Sequence, residues 1–296
     1  MQVNPPVPDD RLSLAERLAN RLLAKDPAPP PVPAAAVAAP DLGPVPPPQS
    51  EAAVQAEPRA AIQIDFARLQ AAGFITPTSP RSQQIESFRA IKRNLLKVAF
   101  LEGATVPGNN ANVVMVTSAV PGEGKTFVAL NLAMSISIER DLFVLLIDGD
   151  SNRRSLGHLL GVQQERGLVD LLAEEKHDVA DIILRTNVPN LSFMPAGRPH
   201  THGTELLASK QMGALMRDLG ARYPDRMIII DTSPVMATNE GVVLSSYVGQ
   251  TLVVVEKNAT TKKNLRQTLS MLKGSGNISC VLNREIYEHS YHEYGY

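Results

Sequence analysis

Between residues 112 and 283 the chain repeats one pattern: a short, almost wholly apolar run, a helical stretch, then another apolar run. The runs are VVMVTS (113–118), FVLLID (143–148), LSFMPAG (191–197), MIIID (227–231), TLVVVE (251–256) and ISCVLN (278–283). Helical periodicity is read over 125–139, 205–219 and 262–273. A strand that is apolar at every position has no side to offer water and has to be covered on both faces. Such strands alternating with helices specify an α/β fold: a doubly wound, mostly parallel sheet with helices on both faces.

The first run leads into Ser118-Ala-Val-Pro-Gly-Glu-Gly-Lys-Thr126, and a helix follows. A glycine-rich turn between strand and helix is the setting of a phosphate-binding loop, and GxxxxGK[ST] is matched except for Ala119 at the first glycine position. Gly122 and Gly124 allow backbone N–H groups to turn inward around phosphate oxygens. Lys125 would reach the β- and γ-phosphates, Thr126 would offer its hydroxyl to Mg²⁺, and the helix N-terminus adds partial positive charge. Pro121, Glu123 and Phe127 complete the segment expected around the nucleotide. Asp148 ends the second run and Asp150 follows it in Asp-Gly-Asp, while Asp231 ends MIIID and precedes Thr-Ser-Pro234. In a doubly wound sheet the carboxyl ends of neighbouring strands meet at one crevice, so all three carboxylates would face the phosphates. Carboxylates beside phosphate are costly without a cation between them, so ATP and Mg²⁺ are the expected ligands.

The rest of the chain differs in character. Fourteen of 23 prolines lie in the first 60 residues, and Pro27–Pro48 holds ten in 22. Proline lacks an N–H and fixes φ, so this stretch cannot build a helix or a ladder; it is expected to be a disordered Pro/Ala-rich arm. The division is 1–26, a short amphipathic helical segment; 27–79, linker; 80–283, the P-loop domain; and 284–296, a tail. The first segment places Leu12, Ala15, Leu18, Ala19, Leu22 and Leu23 on one helical face, as a frayed terminus or as a docking helix. A further helix is read over 81–101, with Ile85, Phe88, Ile91, Leu95 and Val98 on one side and Arg89, Lys92, Arg93 and Lys97 on the other.

A formal charge of −1 gives no general attraction to nucleic acid. One cysteine, Cys280, excludes an internal disulfide and a cysteine zinc site, and its apolar strand suggests a packed core position. Aliphatic runs of four or five residues are too short to span a bilayer, and MQVNPPVPDD has no basic, then apolar, leader pattern; a cytoplasmic protein is expected.

The combination resembles the bacterial tyrosine kinase family, P-loop NTPases similar in fold to the MinD/ParA partition ATPases. SxxPGEGKT is matched by Ser118–Thr126, the second aspartate motif by Asp148-Gly149-Asp150, and DxxP by Asp231–Pro234. Four of six tyrosines, Tyr287, Tyr291, Tyr294 and Tyr296, lie in the last ten residues, like the family's terminal tyrosine cluster. IESFRAIKRNLL and TELLAS (204–209) look most like the exosortase-associated autokinases of exopolysaccharide systems. The resemblance implies ATP-dependent autophosphorylation of those tyrosines in trans. Lys125, Asp148, Asp150 and Asp231 would be catalytic; Thr126, Asp148 and Asp231 would hold Mg²⁺; and Asp148 or Asp150 would take the phenol proton. It also implies a Wzz-type membrane chain-length-determinant protein as activator, a cognate tyrosine phosphatase, a homo-oligomeric ring and peripheral attachment to the inner membrane. Asn283 would lie by the adenine. The family's interface motif ExxRxxR reads Glu86, Arg89, Lys92, where lysine keeps the charge but loses the planar fork. Asn152 stands where the family has arginine. The competing reading is a MinD/ParA-like ATPase without kinase activity. The partition ATPases' KGGxGKT opens on a lysine that this chain's loop lacks.

Overall fold

The computed structural model describes residues 61–102, 110–162, 165–174, 178–223 and 225–285. The amphipathic segment 1–26, most of the Pro/Ala-rich arm and all four tail tyrosines lie outside these residues.

Seven strands form one sheet: β1 Val113–Ser118, β2 Phe143–Asp148, β3 Leu184–Arg185, β4 Leu191–Met194, β5 Arg226–Asp231, β6 Gln250–Glu256 and β7 Asn277–Asn283. Their order is β3-β4-β2-β5-β1-β6-β7, and every pairing is parallel except β3 with β4. Alternate residues of each strand enter opposite layers, as the period of two requires. Val114, Val116, Val144, Leu146 and Ile229 join one apolar layer, and Val113, Met115, Leu145, Ile147 and Ile230 join the other. All are fully or almost fully buried, which is why these runs carry no polar alternation.

The helices are α1 Phe66–Ala71, α2 Gln83–Leu96 (continuing as a π turn, Lys97–Glu102), α3 Lys125–Ser137, α4 Ser155–Leu159, α5 Leu168–Ala173, α6 Gly203–Leu207, α7 Lys210–Arg222, α8 Glu240–Ser245 and α9 Lys262–Met271. The side chains of Ser82, Ser209 and Thr261 cap α2, α7 and α9 by accepting from backbone N–H groups in the first turn. The Ser209 cap also explains why the helix expected over 205–219 is two: α6 stops and α7 restarts there.

Three further expectations change. Residues 61–79, assigned above to the linker, are part of the folded body. Ile64, Leu69, Phe74 and Ile75 are buried in the layer that holds α2 and α3. Ile64 exchanges two hydrogen bonds with the side chain of Asn187, and the Ile75 N–H donates to Asn131 Oδ1 at 2.6 Å. The local sequence lacks a strong period because these contacts bridge long separations. Leu69→Ala should therefore cost about 2–4 kcal/mol in a denaturation experiment, as a core truncation does, where a linker site would show almost nothing. Secondly, Cys280 is exposed, not core. Among the described residues β7 is an edge strand, and Leu282 on it is 51% exposed. Thirdly, Lys92 turns inward. Its ammonium donates to Glu139 at 2.5 Å and to the Ser135 carbonyl at 3.3 Å, joining α2 to α3 within the chain. Glu86 and Arg89 are exposed and pair with each other at 2.5 Å.

Candidate nucleotide site

The sheet order places β1, β5 and β2 side by side, so their carboxyl ends converge. Asp148 and Asp231 face each other in the β2–β5 register, and Asp231 is also in register with Val116 of β1. Between Asp148 and Asp150, Gly149 is required by space: a Cβ there would lie 2.8 Å from the Asp231 carbonyl oxygen and 2.9 Å from Ile230. Its N–H donates to that same carbonyl at 2.7 Å, which locks the two acidic strand ends together.

Beyond β1 the loop turns through Gly122 and Gly124, whose φ angles of 95° and 90° suit glycine, and Gly124 is the N-cap of α3. Lys125 and Thr126 therefore open that helix. Lys125 is only 6% exposed, and its Nζ lies 3.8 Å from Asp150 Oδ2. The segment after β5 is stitched to β1 and the loop. Thr232 donates to Val116 O, Thr117 to Ser233 O, and the Val235 N–H to Ser118 O.

The three aspartates are buried but not equivalent. Asp148 accepts from the N–H groups of Asp150 and Gly157, each at 3.2 Å. Burial pushes its carboxyl up to about 7 against those two bonds. Asp150 accepts from the Arg153 N–H at 3.1 Å and faces Lys125. Both oxygens of Asp231 are buried without a hydrogen-bond partner. Burial pushes this carboxyl to about 7 as well, against the pull of Lys125 and with the repulsion of Asp148 added. The Thr126 hydroxyl is near enough to favour the ionised form but makes no bond of normal geometry with it. Orphaned oxygens beside a phosphate loop fit a hard divalent cation, and Asp231, Asp148 and Thr126 are oxygen donors of the kind Mg²⁺ takes.

Beside the loop lies a cavity of about 450 Å³ lined by Gln83, Phe88, Gly124, Phe127, Asn283 and Arg284, among others. Asn283 reaches the loop itself: its Nδ2 donates to the Glu123 carbonyl at 2.9 Å. Sequence reading places Lys125, Thr126, Asp148, Asp150 and Asp231 at one site, and the structure brings them together. It does not anticipate Gly149 as a spacer. It also does not anticipate Glu240, whose carboxylate is 4% exposed with neither oxygen hydrogen-bonded, and which burial pushes upward in pKa. Only β-strand register and long-range contacts reveal these.

An AAA domain family model matches residues 111–279. The tyrosine-protein kinase YwqD of Bacillus subtilis is 30% identical over 226 residues, covering 75% of this chain and 90% of that protein. The chain belongs to the bacterial tyrosine kinase family. The tyrosine-protein kinase wzc of Salmonella typhimurium is 32% identical over 221 residues, 74% of this chain, and the chain spans 29% of that longer relative. Among solved structures, the VpsO kinase domain is 29% identical with a TM-score of 0.58, covering 69% of this chain and 97% of that domain. The kinase domain of Escherichia coli ETK, at 24% identity and a TM-score of 0.57, shares the fold over 77% of this chain and 98% of that one. The family's P-loop and both its aspartate motifs thus fall at the one crevice where β1, β2 and β5 end. No helix among the described residues is long and apolar enough to cross a membrane.

Proposed function

We propose that this chain is an ATP-dependent protein-tyrosine autokinase that phosphorylates its own tyrosine-rich tail, Tyr287, Tyr291, Tyr294 and Tyr296, from a second copy. The observation that carries it is the convergence of Lys125, Asp148, Asp150 and Asp231, all buried, at the mouth of a phosphate loop in a chain of this family.

The residues divide the work as follows. Loop amides and Lys125 hold the β- and γ-phosphates and offset charge on the phosphoryl group as it moves. Phe127 and Asn283 border the cavity that the base would take. Asp148, Asp231 and Thr126 would hold Mg²⁺, which supplies charge neutralisation on the phosphates when bound. The tyrosine hydroxyl attacks the γ-phosphorus in line and gives its proton to Asp148 or Asp150, while the bond from that phosphorus to the β,γ-bridging oxygen breaks and ADP leaves. A phenol of pKa about 10 needs orientation more than a strong base. The segment suits an acceptor because it is polar between its tyrosines.

Regulation of exopolysaccharide synthesis and export, with a Wzz-type membrane protein as activator and a cognate phosphatase as antagonist, is the cellular setting proposed. A cytoplasmic chain held at the inner membrane through that partner would fit it. The exosortase-associated subtype is part of the same proposal, on the strength of IESFRAIKRNLL and TELLAS. For assembly, exposed Glu86 and Arg89 are the available part of the interface motif, since Lys92 is engaged by Glu139.

Intact mass measured after incubation with Mg-ATP tests the reading. Successive additions of one phosphate each, mapping to Tyr287–Tyr296, are expected. Consumption of ATP with an unchanged protein mass, also in the presence of the partner's cytoplasmic segment, would replace it with a partition-type ATPase.

A further inference from the structure

Glu123 is an unexpected residue in the middle of a loop that receives polyphosphate. Its carboxylate is 1% exposed, and a buried negative charge there opposes anion binding. Its contacts explain its presence. Oε2 accepts from the Val120 N–H at 2.9 Å, closing the loop on itself. Oε1 accepts from the Thr260 hydroxyl, across 137 residues of chain. The Thr260 oxygen in turn accepts from the Glu256 N–H at 2.8 Å, so this one hydroxyl joins the phosphate loop to the turn after β6.

The same turn holds the start of the tail. Glu256 pairs with Arg284 at 2.5 Å, and Lys257 pairs with Glu285 at 3.1 Å. The Lys257 N–H donates to the Asn283 carbonyl at 3.0 Å, while the Asn283 side chain grips the Glu123 carbonyl. Glu123 is therefore held by its side chain from the β6 turn and by its backbone from the end of β7. Both holding segments also carry the first residues of the tyrosine-rich tail.

We propose that Glu123 is a positioning residue. With Thr260 it forms a clasp that shapes the phosphate loop and ties it to the root of the tail, so that a change at Arg284–Glu285 reaches the bound nucleotide. The proposal rests on the nucleotide site of the preceding reading but not on its phosphoryl transfer, because binding alone reports it.

The test uses the full chain and a fluorescent ATP analogue, with affinity and dissociation rate measured in Mg²⁺. Thr260→Val leaves a buried carboxylate oxygen and a backbone N–H unpaired, and is expected to weaken binding about tenfold; Thr260→Ser keeps the hydroxyl and should bind as the parent does. Glu123→Ala should weaken binding by a similar factor. The double variant should fall well short of the hundredfold that two independent sites would give. Glu256→Gln with Lys257→Ala breaks both ion pairs without altering the wall of the cavity, yet should change the dissociation rate about threefold. Equal affinity for Thr260→Val and Thr260→Ser, with matched melting temperatures, would overturn the clasp. An unchanged dissociation rate in the Glu256/Lys257 variant would overturn the connection to the tail. Either outcome is readable even if no phosphotyrosine forms, so loss of this inference and loss of the kinase reading are separate results.

Discussion

Lys125→Met should lower tail phosphorylation by about a thousandfold or more. The ammonium stands at the start of α3 and against the acidic strand ends, 3.8 Å from Asp150 Oδ2. Removing a preorganised charge from a dry phosphoryl-transfer site costs about two to three orders of magnitude by itself, and loss of phosphate positioning adds to it. Methionine fills the space of the lysine stem but leaves Asp150 buried without its cation, so the variant should also melt lower. Lys125→Met combined with Asp150→Asn removes that uncompensated charge. It should recover the melting temperature without recovering phosphorylation. If the double variant is stable and still phosphorylates its tail, Lys125 has no catalytic part. Phosphotyrosine by intact mass and unfolding by calorimetry are the two measurements.

Asp231→Asn should separate stability from activity in the opposite sense. The native carboxyl is raised from 3.8 to about 7, chiefly by burial. A group whose folded pKa lies above its unfolded value costs nothing below about pH 4, where both states are protonated. The cost grows between 4 and 7, where only the unfolded chain ionises, and is constant above 7. The nucleotide-free parent should therefore lose stability as pH rises from 4 to 7, and Asp231→Asn should flatten that slope. At pH 8 the variant should be the more stable by about 2–4 kcal/mol, and the advantage should vanish below pH 4. Added Mg-ATP should narrow the gap, because a cation gives the parent's Asp231 the partner that both its oxygens lack. Phosphorylation by the variant should drop by about 10²- to 10³-fold. A variant less stable than the parent at pH 8 would mean that the carboxylate already has a stabilising partner.

Much of the fold was legible because its determinants are local. Runs such as VVMVTS and MIIID announce buried parallel strands by composition alone, and GEGKT between strand and helix marks the phosphate loop. The convergence of Asp148, Asp150 and Asp231 also follows from topology once strand ends are located. The direction in which Lys92 points is not legible for the same local reason. On a helical wheel it belongs with Arg89 and Arg93, but Glu139 lies 47 residues away and no periodicity reports it. Cys280 and Leu282 look like core by their run, yet β7 is an edge strand among the described residues, and position in the sheet overrides hydropathy.

The sequence by itself determined the class of fold, the phosphate loop and the identity of the acidic groups, since each rests on residues adjacent in the chain or on strand ends that a parallel sheet must align. Tertiary structure alone decided that residues 61–79 join the core through Asn131 and Asn187, that both oxygens of Asp231 are left without a hydrogen-bond partner, and that Glu123 is clasped by Thr260 and Asn283. These are contacts across 56 to 160 residues. Burial, partnership and charge cost at such sites depend on what the rest of the chain brings near, and no local pattern encodes that.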